Sequence, residues 1–160
     1  MEYIEKTQED NNTISEILVK SLGSNFLVYN FLVSRGKTYS VQDLDGILVK
    51  ENGKIIGLGL YYIKNDCEIV LLETFVQNKG IGTKIIEKIK EIAKENKCKR
   101  IWLITTNENT NALRFYQRRG FHIANIYINA LEESRKINPE IPKIEDGIEI
   151  RDEIELEIKL

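Results

Sequence analysis

The chain has 160 residues, enough for one domain with its own hydrophobic core and too few for much of a second, so we expect a single domain over residues 1–160. Hydrophobic residues make up 42% and charged residues 30%, a balance typical of globular proteins. The formal net charge of −2 gives no bulk attraction for nucleic acid, and no apolar run is long enough to span a bilayer, so neither nucleic acid nor membrane is expected as a partner.

Cysteine and histidine are too sparse to indicate a metal site. Cys67 and Cys98 lack the spacing of a metal-binding pair, and His122 is the only histidine. Zinc sites need clustered Cys and His ligands, so we expect no metal. Residues 1–3 do not begin a signal peptide, and a chain with so few cysteines is typical of a reducing compartment. We therefore predict a cytoplasmic protein.

Two helices are predicted near the start of the chain, after an edge strand over residues 1–7. Thr13 precedes Glu16 at the spacing of a capping box, and Gly23 suits the end of the helix that this box would begin. The apolar segment 26–33 predicts a second helix that ends before the next glycine.

Three antiparallel strands are predicted next. The apolar segments 44–50 and 54–63 are joined through Asn52-Gly53, the residue pair that most strongly indicates a tight hairpin. A further turn leads into a third strand over residues 67–76. These strands form a meander that precedes the longest predicted helix.

The residues after this meander predict a β-α-β-α-β unit. An amphipathic helix begins at Ile81, a strand covers 101–105, a short helix ends at Gly120, and another strand covers 122–129. A meander followed by such a unit predicts an α+β fold with a mixed sheet and helices on both faces, rather than a doubly wound sheet.

The last strand alternates between apolar and charged residues. Its apolar face is Ile148, Ile150, Ile154, Leu156, Ile158 and Leu160. The pattern predicts a half-buried strand whose charged face is solvated. Asp152 falls on the apolar side, which favours a break or bulge there, with a polar contact to the active cleft as the alternative. At the edge of a sheet, this strand could pair with a second copy to form a homodimer.

The turn before the amphipathic helix is suited to an anion. Gly80 and Gly82 let the backbone approach a ligand, and the first N–H groups of a helix have no partner within it. Together with the helix dipole, these donors favour phosphate. The order Gly82-Thr83-Lys84 is not that of a Walker loop, and Ile85 stands where a dinucleotide fingerprint needs its third glycine. A simple strand-ending role for the glycines is the alternative.

Two motifs, in this order, resemble those of the GNAT superfamily of acetyl-CoA-dependent N-acetyltransferases: Gln77-x-x-Gly80-x-Gly82 and Asn109-x-x-Ala112-Leu113-x-Phe115-Tyr116-x-x-x-Gly120-Phe121. The resemblance implies a GNAT-like mixed sheet and direct transfer of an acetyl group from acetyl-CoA to a primary amine in a ternary complex. It covers the central third of the chain strongly and the flanks loosely.

The resemblance also implies roles for individual residues. It places the cofactor pyrophosphate on the backbone of the turn, the pantetheine arm at Asn109, and the acid that protonates the leaving thiolate at Tyr116. Capping of a helix by Asn109 and a core position for Tyr116 are the alternatives. The cofactor-binding residues implied in this way are Phe75, Val76, Gln77, Asn78, Lys79, Gly80, Ile81, Gly82, Thr83, Asn109, Ala112 and Tyr116.

Two further residues are candidates on the acceptor side. Glu73 lies in the third meander strand, where a carboxylate in apolar surroundings tends to have a raised pKa, and we expect it to be the general base, directly or through water. An ion pair with a lysine is the alternative. Arg35 is a candidate substrate contact, because this region of GNAT-like folds forms the wall over the acceptor. A solvated charge at a helix end is its alternative.

The acceptor and two rival functions stay open at this point. A small polyamine, an aminoglycoside, an amino acid or a protein N-terminus would each supply the amine, and an acyl group longer than acetyl is also compatible. A CoA-binding sensor without turnover would keep the turn but would not need Tyr116 or Glu73. An interaction domain would pair through its last strand. Because neither cysteine lies in the motifs, a covalent thioester relay is not expected.

Overall fold

The computed structural model describes residues 1–23 and 31–160. In chain order the helices and strands are β1 (Glu2–Glu5), α1 (Asn11–Leu22), β2 (Leu32–Ser34), β3 (Lys37–Tyr39), β4 (Asp45–Glu51), β5 (Lys54–Ile63), β6 (Cys67–Thr74), α2 (Ile81–Glu95), β7 (Arg100–Thr106), α3 (Thr110–Gln117), β8 (His122–Tyr127), α4 (Ala130–Ile137), β9 (Ile144–Glu145), β10 (Ile148–Glu149) and β11 (Glu153–Lys159).

One mixed sheet organises the described part of the chain, with seven strands in the order β1-β4-β5-β6-β7-β11-β8. The first four of these strands pair antiparallel, β6 and β7 are parallel, and β11 is antiparallel to both of its neighbours. This arrangement confirms the predicted mixed sheet and α+β class. The strand β1 lies at an edge, as predicted, and Asn52 and Gly53 form the predicted hairpin with positive φ angles of 50° and 74°.

Helices cover both faces of the sheet, also as predicted. Ile14 and Leu18 of α1 pack with Leu48 and Leu58, on the face that we call the α1 face. The isoleucines of α2 pack with the alternate residues of the same strands, beginning with Ile47, on the face that we call the α2 face. The sheet therefore separates two cores, and the strand alternation assigns each side chain to one of them.

The start of the chain differs from the sequence prediction in two places. The helix α1 begins at Asn11, so Thr13 cannot cap it. Thr7 and Asp10 form a capping box at the start of the 3-10 turn Gln8–Asp10, which precedes α1. Gly23 ends α1 as predicted, with φ at 74°. The predicted helix over 26–33 lies partly outside the described residues, and its end is wrong because Leu32–Ser34 is a strand of a separate hairpin.

The last strand is not at an edge and its charged face is not solvated. The strand β11 lies between β7 and β8, and Glu153 and Glu155 are buried. The prediction failed because alternation identifies the two faces of a strand but not what covers each of them. The rival function as an interaction domain that pairs through this strand is therefore not supported, because β11 is not an edge strand. Asp152 precedes β11, which confirms the predicted break in the strand.

Two glycines in β5 allow α2 to lie unusually close to the sheet. A Cβ atom at Gly59 would lie 2.4 Å from Cγ2 of Ile85, and one at Gly57 would lie 2.6 Å from Cγ2 of Ile81. Both distances are far below van der Waals contact. The position of α2, and of the turn that precedes it, therefore depends on the absence of side chains at these two positions.

We expect Gly59→Ala to lower the free energy of unfolding by about 1–3 kcal/mol, because the added methyl group forces α2 away from the sheet. Chemical denaturation of the variant and of the wild type measures this loss. The matched control is the double variant Gly59→Ala/Ile85→Ala, in which the clashing methyl group is gone. The sum of the stability losses of Gly59→Ala and Ile85→Ala should exceed the loss of the double variant. A double-variant loss equal to that sum would contradict this explanation.

Candidate active site

The parallel strands β6 and β7 separate along their length. Their register runs from Cys67 beside Ile101 to Ile69 beside Leu103, and among the described residues the ladder does not continue beyond that point. A β-bulge between Ile69 and Leu71 bends β6 here. An opening therefore lies between the two strands in the middle of the sheet.

A cavity of about 660 Å³ lies on the α2 face at this opening. Its walls are the end of β6, the turn before α2, and the α3 region. The lining residues are Leu72, Thr74, Val76, Gln77, Asn78, Lys79, Gly80, Ile81, Gly82, Thr83, Asn111, Ala112, Phe115, Tyr116 and Arg119. The structure thus brings together most of the predicted cofactor-binding residues, from Val76 through Thr83 with Ala112 and Tyr116.

The turn presents a row of unused backbone donors to this cavity. Among the described residues, the N–H groups from Val76 to Thr83 have no hydrogen-bond acceptor, and the ladder of α2 begins with the N–H of Lys84 donating to Gly80. Asn78 and Gly80 have left-handed φ angles of 62° and 66°, and such residues turn successive N–H groups toward one point. With the helix dipole, this geometry favours a bound anion.

Gly82 has a packing role as well. A Cβ atom at this position would lie 3.0 Å from the ring of Phe115 in α3. The glycine therefore lets α2 and α3 approach each other beside the cavity, in addition to keeping the turn free of side chains. A bulky substitution at Gly82 would disturb both features at once.

Phe75 and Asn109 do not line this cavity. The N–H of Phe75 already donates to the carbonyl of Ile56 at 2.9 Å, and its side chain lies against α1 on the other face of the sheet. Asn109 caps α3, where its Oδ1 accepts a hydrogen bond from the N–H of Ala112 at 3.1 Å. A cofactor contact by either residue stays a prediction.

Tyr116 lines the cavity and has 8% of its surface exposed. Its ring packs edge-on against Phe115 and Phe121. Burial raises the pKa of the Tyr116 phenol, and the negative charge of Glu73 raises this pKa further. The phenol is therefore protonated at neutral pH, the state required of a proton donor.

Glu73 lies on the α1 face, across the sheet from the cavity. Its neighbours in β6, Leu72 and Thr74, point to the opposite face and line the cavity, whereas Glu73 lies near Ser21 of α1. Burial raises the pKa of the Glu73 carboxyl, and a hydrogen bond with Ser21 partly offsets this effect.

Arg119 is a cavity residue that the sequence reasoning missed. Its guanidinium donates to Oγ1 of Thr83 at 2.9 and 2.7 Å, and it stacks 3.5 Å above the ring of Phe115. A cation at the start of α2 is disfavoured by the helix dipole, and burial together with Arg118 lowers the pKa of Arg119. A bound anion would offset the unfavourable interaction between the positive charge of Arg119 and the helix dipole. Arg119 follows α3 without a motif spacing of its own, so only the fold brings it to Thr83.

We expect Arg119→Met to weaken acetyl-CoA binding by about 10- to 100-fold, the range for the loss of a charge-assisted hydrogen bond. Isothermal titration against the wild type measures the change. Lys94→Met removes the same charge from an exposed site at the other end of α2 and should leave the affinity nearly unchanged. Equal losses in both variants would mean that overall charge, and not the position of Arg119, sets the affinity.

Arg35 lies away from this cavity, in the turn between β2 and β3. It has a left-handed φ of 47° and stacks 3.5 Å above the ring of Tyr127. Its Nη1 lies 3.6 Å from Oε2 of Glu153, and 35% of the side chain is exposed. Arg35 is therefore not a solvated charge at a helix end. Its role as a substrate contact stays a prediction.

The described residues offer neither a candidate metal site nor a membrane-spanning helix. Within residues 1–23 and 31–160, no group of three or more His, Cys, Asp and Glu side chains could hold a metal ion. In the same ranges, no helix is both long and apolar enough to cross a membrane.

Comparison with known proteins decides the family. The model of the GNAT acetyltransferase family matches residues 12–121, a span that includes both the turn and α3. The chain belongs to the GNAT family. It is 40% identical over 157 residues to YxbD of Bacillus subtilis, covering 96% of each chain. It is also 49% identical over 119 residues to YdhI of Bacillus subtilis, covering 72% of this chain and 74% of YdhI.

A solved GNAT structure has the same architecture. The GNAT family acetyltransferase from Elizabethkingia anophelis, with acetyl-CoA bound, is 26% identical and superposes with a TM-score of 0.68, covering 99% of this chain and 97% of its own. The fold and the family together make this GNAT protein an acetyl-CoA-dependent acyltransferase.

Proposed function

We propose that this GNAT protein is a single domain over residues 1–160 that transfers the acetyl group of acetyl-CoA directly to a primary amine. The observation that carries the proposal is the shared cavity: the turn with its unused N–H groups and Tyr116 border one space beside the opening of the sheet. An elongated thioester with phosphates at one end fits these two features. Glu73 lies on the α1 face near Ser21, and in this proposal the amine approaches from that face.

The proposed reaction is a single transfer. The ammonium group gives one proton to Glu73, directly or through water, and the lone pair of the resulting amine attacks the thioester carbonyl carbon. The nitrogen loses its second proton to solvent as the amide forms. The C–N bond forms, the C–S bond breaks, and the thiolate takes the proton of the Tyr116 phenol. Burial raises the pKa of Cys67 to about 12, which argues against this thiol as a nucleophile and supports transfer without a covalent intermediate.

The acceptor in this proposal is a small-molecule or peptide amine, and the reaction takes place in the cytoplasm. The pairing of two copies through β11 is excluded by its central place in the sheet. A homodimer through another surface stays a prediction that size-exclusion chromatography with light scattering would test.

A thiol-release assay tests the proposal. The wild-type protein and acetyl-CoA are mixed with one acceptor at a time: butylamine, 1,4-diaminobutane, an amino-acid ester or a peptide with a free N-terminus. The acetylated product is verified by mass spectrometry. We expect amine-dependent release of CoA with at least one of these acceptors. Binding of acetyl-CoA without release from any of them would favour the sensor, and absence of binding would overturn the proposal.

A further inference from the structure

A second cavity lies on the α1 face beside the same opening. Its volume is about 280 Å³, and its walls include Ile104 and Thr106 at the end of β7, Leu131 of α4, Ile141 and Glu153. The β7 residues in this wall follow Leu103, the last residue of β7 that pairs with β6. The second cavity therefore borders β7 beyond its last pair with β6, and the first cavity borders the end of β6 on the opposite face of the sheet.

Glu153 has an incompletely satisfied carboxylate in this wall. Only 4% of the residue is exposed, and its Oε1 accepts a hydrogen bond from Oγ of Ser134 at 2.9 Å. Its Oε2 is buried without a hydrogen-bond partner among the described residues. The closest cation, Arg35, is 3.6 Å away and is stacked on Tyr127. A buried carboxylate oxygen without a donor is costly, so this atom is suited to a ligand that brings one.

The charges around Glu153 favour a cation. Glu155, the next residue on the same side of β11, is also buried, and its partner Arg100 is shared with Glu157 and Asp66. One guanidinium thus serves three carboxylates. This side of β11 carries more negative than positive charge, which attracts an ammonium group.

The rest of the cavity wall combines aliphatic and hydroxyl side chains. The aliphatic residues are Val33, Ile104, Leu131 and Ile141, and the hydroxyl residues are Thr105, Thr106 and Ser134. Aliphatic side chains of this kind contact methylene groups without offering hydrogen bonds. The cavity therefore combines aliphatic contacts with one buried carboxylate.

We propose that this cavity binds the acceptor and that the acceptor is a short diamine or polyamine, whose second ammonium group donates a hydrogen bond to Oε2 of Glu153. The inference rests on the proposed function, because the first amine must reach the acetyl group through the opening. That amine loses one proton to the base and gains the acetyl group as the C–S bond breaks. The second ammonium group keeps its protons and fixes the position of the diamine in the cavity.

The test compares 1,4-diaminobutane with butylamine as acceptors of the wild type and of Glu153→Gln. Glutamine keeps the size and the Ser134 contact but removes the charge. We expect the KM for 1,4-diaminobutane to rise about 10- to 100-fold, as for a lost charged hydrogen bond, while the KM for butylamine and the affinity for acetyl-CoA stay unchanged. Glu145→Gln, at an exposed site in β9, is the charge control and should change neither KM.

A second variant keeps the test decisive if Glu153→Gln folds poorly. Ile141→Trp fills the cavity from the loop after α4, and we expect it to abolish use of 1,4-diaminobutane while acetyl-CoA still binds. Equal KM values for both amines in the wild type, or no effect of either variant, would overturn the acceptor inference and leave the proposed function standing. Failure of the wild type to bind acetyl-CoA would instead overturn the proposed function and the inference with it.

Discussion

Tyr116→Phe is expected to lower kcat by about 10²- to 10⁴-fold, the contribution of a positioned general acid. The leaving thiolate then lacks the proton donor that we assign to Tyr116. The ring stays, so its packing against Phe115 and Phe121 should persist and acetyl-CoA should bind as in the wild type. Steady-state kinetics and titration calorimetry on the same preparation separate these two effects.

The control for this variant is Tyr62→Phe, which removes a phenol from a partly exposed ring of β5 that does not line the cavity. We expect its kcat to equal that of the wild type. Because burial and Glu73 raise the pKa of Tyr116, the wild type should keep its activity up to a pH above the ordinary phenol pKa of about 10. A kcat within twofold of the wild type in Tyr116→Phe would show that Tyr116 is a core residue only.

Glu73→Gln is expected to lower kcat/KM by about 10²- to 10⁴-fold, the range for a general base. The carboxylate accepts the amine proton only when it is ionised, so wild-type activity should fall as the pH drops through the raised pKa of Glu73. The variant should lose this acid limb of the pH profile. Glu87→Gln, on the exposed side of α2, is the matched control and should keep both the rate and the profile.

The same substitution should stabilise the folded protein at neutral pH. Burial raises the pKa of Glu73 in the folded state, so the folded protein holds this proton more tightly than the unfolded chain does. Its contribution to stability is present at low pH and is lost as the pH rises through the raised value. Glutamine removes that loss. A variant that is slower and also less stable at neutral pH would indicate a structural role for Glu73 and not a base.

The parts of the site that could be predicted from sequence are those that depend on local geometry. The glycines of the turn, the start of α2 and the position of Tyr116 are fixed by residues close together in the chain. The same is true of the β4–β5 hairpin, which Asn52 and Gly53 determine through their left-handed angles. For these elements the spacing of residues carries the structural information directly.

The parts that could not be predicted depend on strands that are distant in sequence. The burial of Glu153 and Glu155 follows from the insertion of β11 between β7 and β8 and from the side chains that meet it there. The alternation of β11 is the same whether its polar face meets water or protein. Arg119 reaches Thr83 in the same way, through the packing of α3 against α2 and not through any motif.

The most direct test of this account is a crystal structure of the protein with CoA. We expect the pyrophosphate of CoA to accept hydrogen bonds from the N–H groups between Val76 and Thr83, with a phosphate oxygen beside Arg119. We expect the CoA thiol to lie within hydrogen-bond distance of the Tyr116 hydroxyl. CoA bound outside this cavity, or bound in it with the thiol directed away from Tyr116 and the opening between β6 and β7, would contradict the proposed mechanism.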